Sequence, residues 1–223
     1  MKYYFIFLFF LSLSGCSETS SEYFPLGENI KLEYRIQKIQ RNQQRVGKSI
    51  VALLSDIQVN GEQYFPQRYA NGETIYYRKS DSGILFSARP EPNGKVYIKT
   101  PLAVNAYWPK ETRIELLDIR HESFSGGEPF ISQEETIFMD NQIVSFNETI
   151  SVPAGRFVNC MRIDSSATVR VKKRTRGIAQ IMIYESTWYA QGVGLVKRVR
   201  KEYSVPKKYR TDQVTKLIRY ESF

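Results

Sequence analysis

Residues 57–100 read IQVNGEQYFPQRYANGETIYYRKSDSGILFSARPEPNGKVYIKT. Asn60-Gly61, Asn71-Gly72 and Asn93-Gly94 each sit between β-rich runs, and Asp81-Ser82-Gly83 lies among them. Asn-Gly marks a two-residue hairpin because a type I′ turn needs positive φ at both central positions. Turn signals recur about every ten to eleven residues, so the stretch predicts an antiparallel meander over roughly residues 50–100.

The same pattern extends in both directions. Upstream, Leu32, Tyr34 and Ile36 alternate with Glu33, Arg35 and Gln37, which predicts a half-buried strand. Residues 41–56, RNQQRVGKSIVALLSD, are the best helix candidate, yet Gly47 and the β-branched residues weigh against it. Downstream, Pro101 to Pro109 is a break that contains Trp108. After it come TRIELLDIRHESF, a glycine-containing loop FSGGEP, and the strand-like runs ETIFM, IVSFNETISV, RFVNCMRID, SATVRVKKR, GIAQIMIYEST, GVGLVKRVRKEY and TKLIRYES. No repeat interrupts them. The expected fold is all-β: a single, mostly antiparallel domain over 23–223, as a curved sheet, partly open barrel or sandwich with few or no helices.

The first residues carry an address. Lys2 is the one charge before Cys16, and Tyr3–Leu13 is an apolar, aromatic run of eleven residues. A membrane helix needs about 20. A positive start, a short apolar core and small residues before a cut are the marks of a secretory signal. Leu13-Ser14-Gly15-Cys16 resembles the lipobox of bacterial lipoproteins. That resemblance implies loss of residues 1–15, diacylglycerol on the Cys16 sulfur, and acylation of the new amino group. An ordinary signal peptide with a chance cysteine is the alternative. Each buried methylene contributes about 0.8 kcal/mol, so two or more chains hold a domain on a membrane where one holds it marginally. Residues 17–22, SETSSE, read as a short polar tether after the lipidated cysteine. Ser17, where an aspartate is absent, resembles the outer-membrane sorting pattern of Gram-negative bacteria. The expected location is therefore exported, lipid-anchored on the outer membrane and facing the periplasm.

The chain of 223 residues carries a net charge of +9. One domain of this length buries a core without disulfide staples. With Cys16 acylated, Cys160 has no partner and reads as a small hydrophobe inside a strand. The basic surplus is concentrated in two stretches. VRVKKRTRG holds Arg170, Lys172, Lys173, Arg174 and Arg176, and LVKRVRKEYSVPKKYR adds Lys197, Arg198, Arg200 and four more. A solvated face that protects strand edges is one reading. The other is contact of Arg170, Lys172, Arg174, Arg176, Lys197, Arg198 and Arg200 with anionic lipid or an acidic envelope polymer. An exported protein is not expected to meet nucleic acid.

The search for catalytic chemistry returns little. His121 is the single histidine, which excludes a multi-histidine metal site. There is no G-x-S-x-G elbow and no G-x-x-x-x-G-K-[ST] loop. His121-Glu122 and Glu134-Glu135 are adjacent pairs, which a strand sends to opposite faces. No catalytic residue, metal or cofactor is expected.

Three further motifs carry a resemblance. SEYFPLGENIKLEY presents Tyr23, Phe24, Pro25, Leu26 and Tyr34, with Asn29 and Leu32 where a glycine and a tryptophan are usual. ETISVPAGRFVNCMRI presents Val152, Pro153, Ala154, Gly155, Phe157 and Cys160, and WYAQGVGLVKRV presents Trp188 to Ala190 and Gly192 to Lys197. Together they resemble an uncharacterised family of bacterial envelope lipoproteins, which implies no settled activity. Physically, Pro153 and Gly155 make a tight corner, and two glycines in a strand mark a bulge or a close approach.

Three functions follow. The first is a membrane-anchored, non-catalytic binding or scaffolding domain, with a solid interior and an exposed patch. The second is a carrier of lipid or another hydrophobic ligand, with an apolar cavity of a few hundred cubic ångströms. An enzyme comes last.

Overall fold

The computed structural model describes residues 23–40, 43–117, 137–172, 178–206 and 209–223. The strands are β1 (Ile30–Gln40), β2 (Gln43–Leu53), β3 (Ile57–Val59), β4 (Glu62–Tyr69), β5 (Thr74–Ser80), β6 (Gly83–Ser87), β7 (Lys95–Lys99), β8 (Tyr107–Thr112), β9 (Ile137–Val152), β10 (Gly155–Lys172), β11 (Ile178–Ala190), β12 (Gly194–Val205) and β13 (Arg210–Ser222). A single 3-10 turn, Glu115–Leu117, follows β8. The sheet order is β7-β6-β5-β4-β2-β1-β13-β12-β11-β10-β9-β8, with β3 paired to β4 alone. All described pairings are antiparallel. The two end strands meet: Trp108 Nε1 donates to Tyr97 O at 3.2 Å, and Lys99 Nζ to Tyr107 O at 3.2 Å. The all-β sheet is thus nearly closed into a barrel.

The local signals act as their chemistry dictates. Asn60 and Gly61 both take positive φ, 53° and 83°, and turn β3 into β4. Asn93-Gly94 is a different case. It ends the β6–β7 connection, where Gly94 packs against Leu85 and Phe86 and φ stays out of the left-handed region. The 41–56 helix candidate is strand β2, locked to β1 in an unbroken register from Ile30↔Leu53 to Gln40↔Gln43. Tertiary pairing overrides a weak helical preference there. The described end of ETIFM, from Ile137, joins IVSFNETISV in β9, and RFVNCMRID joins residues 166–172 in β10, with register shifts between Phe157 and Ile163 bending the long hairpin.

Alternation fixes what lies inside. On β11 the inward set is Ala179, Ile181, Ile183, Glu185, Thr187 and Tyr189, all buried. On β12 the register changes between Trp188 and Tyr189, which pair with Lys197 and Leu195 and leave Val196 as the extra residue. A one-residue bulge exchanges the faces of the strand beyond it. Arg198, Arg200 and Glu202 therefore pair with Thr187, Glu185 and Ile183 on the inner face.

Besides an apolar cluster that includes Leu32, Tyr34, Val51, Val196 and Leu217, the interior has three zones. At the end where the described chain begins, Tyr23 and Phe24 enter an aromatic cluster with Tyr77, Trp108, Ile143, Met161 and Tyr189. At the other end Leu116 of the 3-10 turn packs with Ile137, Met139, Ala179, Ile181 and Ile183. Charged side chains of β11 and β12 lie between these two apolar zones.

Candidate functional site

The middle zone is built from β11, β12 and the segment after β8. Glu185 Oε2 accepts from Arg198 Nε at 2.7 Å and from Arg200 Nη1 at 3.2 Å. Arg200, 2 % exposed, also donates from Nε to Glu202 Oε1 at 2.7 Å, from Nη1 to Thr112 Oγ1 at 3.0 Å and from Nη2 to Arg113 O at 2.6 Å. Glu202 completes its shell with the backbone N–H groups of Glu115 (3.1 Å) and Leu116 (2.6 Å). This is why the 3-10 turn sits where it does: its first free donors are aimed at a buried carboxylate. Glu115 in turn lies 3.2 Å from Arg198 Nη2 and 3.8 Å from Lys38 Nζ.

Burial raises the Glu185 carboxyl, but Arg198, Lys110 and Arg200 together outweigh it and hold the group at about 2. Burial lowers Arg198, and its two glutamates reverse this and raise it. Glu202 is pushed up by burial against the pull of Arg200 and the two N–H groups.

A cavity of about 360 Å³ lies between this ionic layer and the aromatic end of the barrel. Its apolar walls include Phe24, Leu32, Val51 and Leu195, and its charged walls Lys110, Glu185, Arg198 and Arg200. Five tyrosines, Tyr34, Tyr69, Tyr77, Tyr97 and Tyr189, turn toward it. Burial raises every one of their pKa values, so they remain neutral hydroxyls. Tyr34 donates to Leu195 O at 3.0 Å, and the Tyr97 and Tyr189 hydroxyls share a hydrogen bond of 3.1 Å. The cavity is large enough for a small molecule, and its surface is amphipathic where the carrier reading expects apolar.

Lys110 has a special position. It projects from β8 with its ammonium 4.6 Å from the Tyr97 ring centroid. Burial lowers its pKa, partly opposed by Glu185. Among the described residues no carboxylate lies within 4 Å of its nitrogen.

The three family-like motifs converge at the aromatic end. Tyr23 Oη donates to Asn159 O at 3.2 Å and accepts from Gln191 Nε2 at 3.4 Å. The β9–β10 hairpin and β13 both run past the β11–β12 turn and meet over it: Ala154 N–H donates to Leu217 O at 3.2 Å. Phe157 lies against Tyr220, ring centroids 6.1 Å apart. Gly194 at φ 91° leaves space for Pro25. Trp188 is on the outer face, between Arg162 and Lys197, with Nε1 donating to Glu148 at 2.7 Å.

The sequence-predicted contacts separate. Arg170 and Lys172 are exposed on β10, at the end away from Tyr23. Lys197 is half-buried on the outer face, over Trp188. Arg198 and Arg200 stand on the inner face and belong to the ionic layer, where the Val196 bulge turns them. Arg174 and Arg176 lie outside the described residues, as do Cys16, His121-Glu122 and Glu134-Glu135. Cys160 is fully buried with a free thiol that burial pushes up in pKa, 3.6 Å from Phe157 O. Sequence reading missed Lys110, Glu115, Glu185 and Glu202. An inward charge at every second residue of 198–202 is the one pattern that would have shown part of the layer.

A family model described as DUF3108-like matches residues 124–207. No curated protein matches the chain in sequence. Among solved structures the chain is similar to a candidate exported protein of Bacteroides fragilis with a YmcC-like fold, at 14% identity and a TM-score of 0.45, covering 89% of this chain and 98% of that one. It is similar to a candidate lipoprotein of Parabacteroides distasonis at 14% identity and a TM-score of 0.40, covering 90% and 98%. It is also similar to a LolA superfamily protein of Nitrosomonas europaea at 9% identity and a TM-score of 0.24, covering 92% and 90%.

Proposed function

We propose that the chain is an exported lipoprotein, anchored through Cys16, whose barrel is a non-catalytic binding domain for a small amphipathic ligand. The observation that carries this reading is the cavity of about 360 Å³ between the tyrosine cluster and the ionic layer. A scaffold that acts through its surface needs no such space, because interiors pack close to crystal density. The mixed wall favours an amphipathic ligand over a bare hydrocarbon: a wholly apolar occupant would leave the Lys110 ammonium facing hydrocarbon. The lipobox-like Leu13-Ser14-Gly15-Cys16 supports the anchor and the envelope location, with the outer membrane as the expected site.

Native mass spectrometry of the protein, gently extracted from the envelope, tests the binding role. A population carrying a discrete extra mass of a small organic molecule is the expected result. A uniform mass equal to the acylated polypeptide alone sinks the proposal.

A further inference from the structure

The ionic layer is unbalanced. Lys38, Lys110, Arg198 and Arg200 face Glu115, Glu185 and Glu202, which leaves one positive charge in excess among the described residues. Each guanidinium reaches a carboxylate within 3.2 Å, and Lys38 lies 3.8 Å from Glu115. The cation left over is Lys110, and it lines the cavity.

Holding that ammonium there is unfavourable without a counter-charge. An ammonium withdrawn from water keeps its charge only if paired or well hydrogen-bonded. The face of Tyr97, at 4.6 Å, offers a partial substitute worth far less than a carboxylate. Glu185, the anion whose charge raises the Lys110 pKa, is already shared by two arginines at 2.7 and 3.2 Å. Besides its charged groups, the cavity wall carries neutral hydroxyls and apolar surface, among them Tyr97, Tyr189, Thr112, Leu195 and Phe24. Such a wall fits a molecule with one anionic end and one apolar end.

We infer that the cavity takes an anionic amphiphile, its carboxylate or phosphate on Lys110 and Arg198 and its apolar part toward Phe24, Leu32 and Leu195. This rests on the binding role proposed above and adds the charge and orientation of the ligand. A free fatty acid and a phosphorylated lipid fragment share this chemistry.

The test uses the unlipidated chain from Ser17, which keeps every described residue, and three ten-carbon probes: decanoate, decyl phosphate and decanol. Calorimetry should show the anions binding at least about tenfold more tightly than the alcohol, the margin by which a charge-assisted hydrogen bond exceeds a neutral one. Lys110→Met should bring the anions to within about twofold of decanol, while Lys110→Arg keeps the preference. The tighter of the two anions identifies the source, carboxylate or phosphate. Equal binding of decanol and both anions by the wild-type chain overturns the anion site and leaves the binding role standing. Retention of the anion preference by Lys110→Met also overturns it. No binding of any probe removes both readings. The wild-type comparison decides the matter even where a variant does not fold.

Discussion

Glu185 and Arg200 are cross-strand partners on the inner face of the β11–β12 ladder, with Oε2 and Nη1 3.2 Å apart and both side chains less than 10 % exposed. Two charges so deep in a barrel are held by mutual satisfaction. Removing one partner leaves the other charge uncompensated. Glu185→Gln should therefore destabilise the protein by about 3–5 kcal/mol, read from the urea midpoint. A loss below about 1 kcal/mol would mean that water reaches the layer and screens it.

The same carboxylate makes stability depend on acid. Its pKa falls from the ordinary value of 4.5 to about 2 in the folded protein. A carboxyl lowered on folding contributes stability that is fully present above its unfolded pKa. That contribution is lost as the pH falls through the folded value. Wild-type stability should thus fall between about pH 5 and pH 2, and Glu185→Gln should fall less over the same window. Glu202, raised by burial, works in the opposite sense, its cost growing as the pH rises past the unfolded carboxyl range. Urea midpoints of both proteins at about pH 5, 3.5 and 2.5 decide the point; parallel curves refute the assignment to Glu185.

The strands were legible because their signals are local. Asn60-Gly61 specifies a turn, and Leu32, Tyr34 and Ile36 alternate toward one face. The site was not legible, for two reasons. The Val196 bulge exchanges faces partway along β12, so alternation counted from Leu195 sends Arg198 and Arg200 outward. Lys110 and Glu115 flank the end of β8, beside a proline-bounded break with no periodicity. Their approach to β11 and β12 depends on closure between β7 and β8, which no local pattern encodes. The motif pairs met the same limit: Pro25 and Gly194 touch although 168 residues lie between them in the sequence.

That contact distinguishes two glycines of one turn. A Cβ on Gly194 would stand 3.2 Å from Pro25 Cδ at φ 91°, whereas a Cβ on Gly192, at φ 70°, would meet open space. Gly192→Ala should cost about 1 kcal/mol from backbone strain alone. Gly194→Ala should cost roughly 2–3 kcal/mol, because the alanine also displaces the entering N-terminal segment. Thermal melts of the two variants compare them directly. Equal losses would show that Pro25 yields freely.

If Cys16 carries the proposed acyl anchor, the placement of Tyr23 predicts which end of the barrel faces the membrane. Tyr23 is bonded to Asn159 and Gln191 at the β11–β12 turn, and six residues separate it from Cys16. Fully extended, that tether spans about 25 Å. With the proposed acyl anchor on Cys16, the turn at Gln191 is expected near the bilayer, while Lys172, opposite Ile178 at the start of β11, lies about 40 Å along the strand from it. Cys16→Ser should abolish palmitate incorporation and membrane retention in a bacterial host. For the lipidated protein in vesicles, a spin label at exposed position 191 should relax faster with a lipid-bound paramagnet than one at exposed position 172. Faster relaxation at 172 would place the basic stripe of Arg170 and Lys172 on the membrane and reverse the orientation.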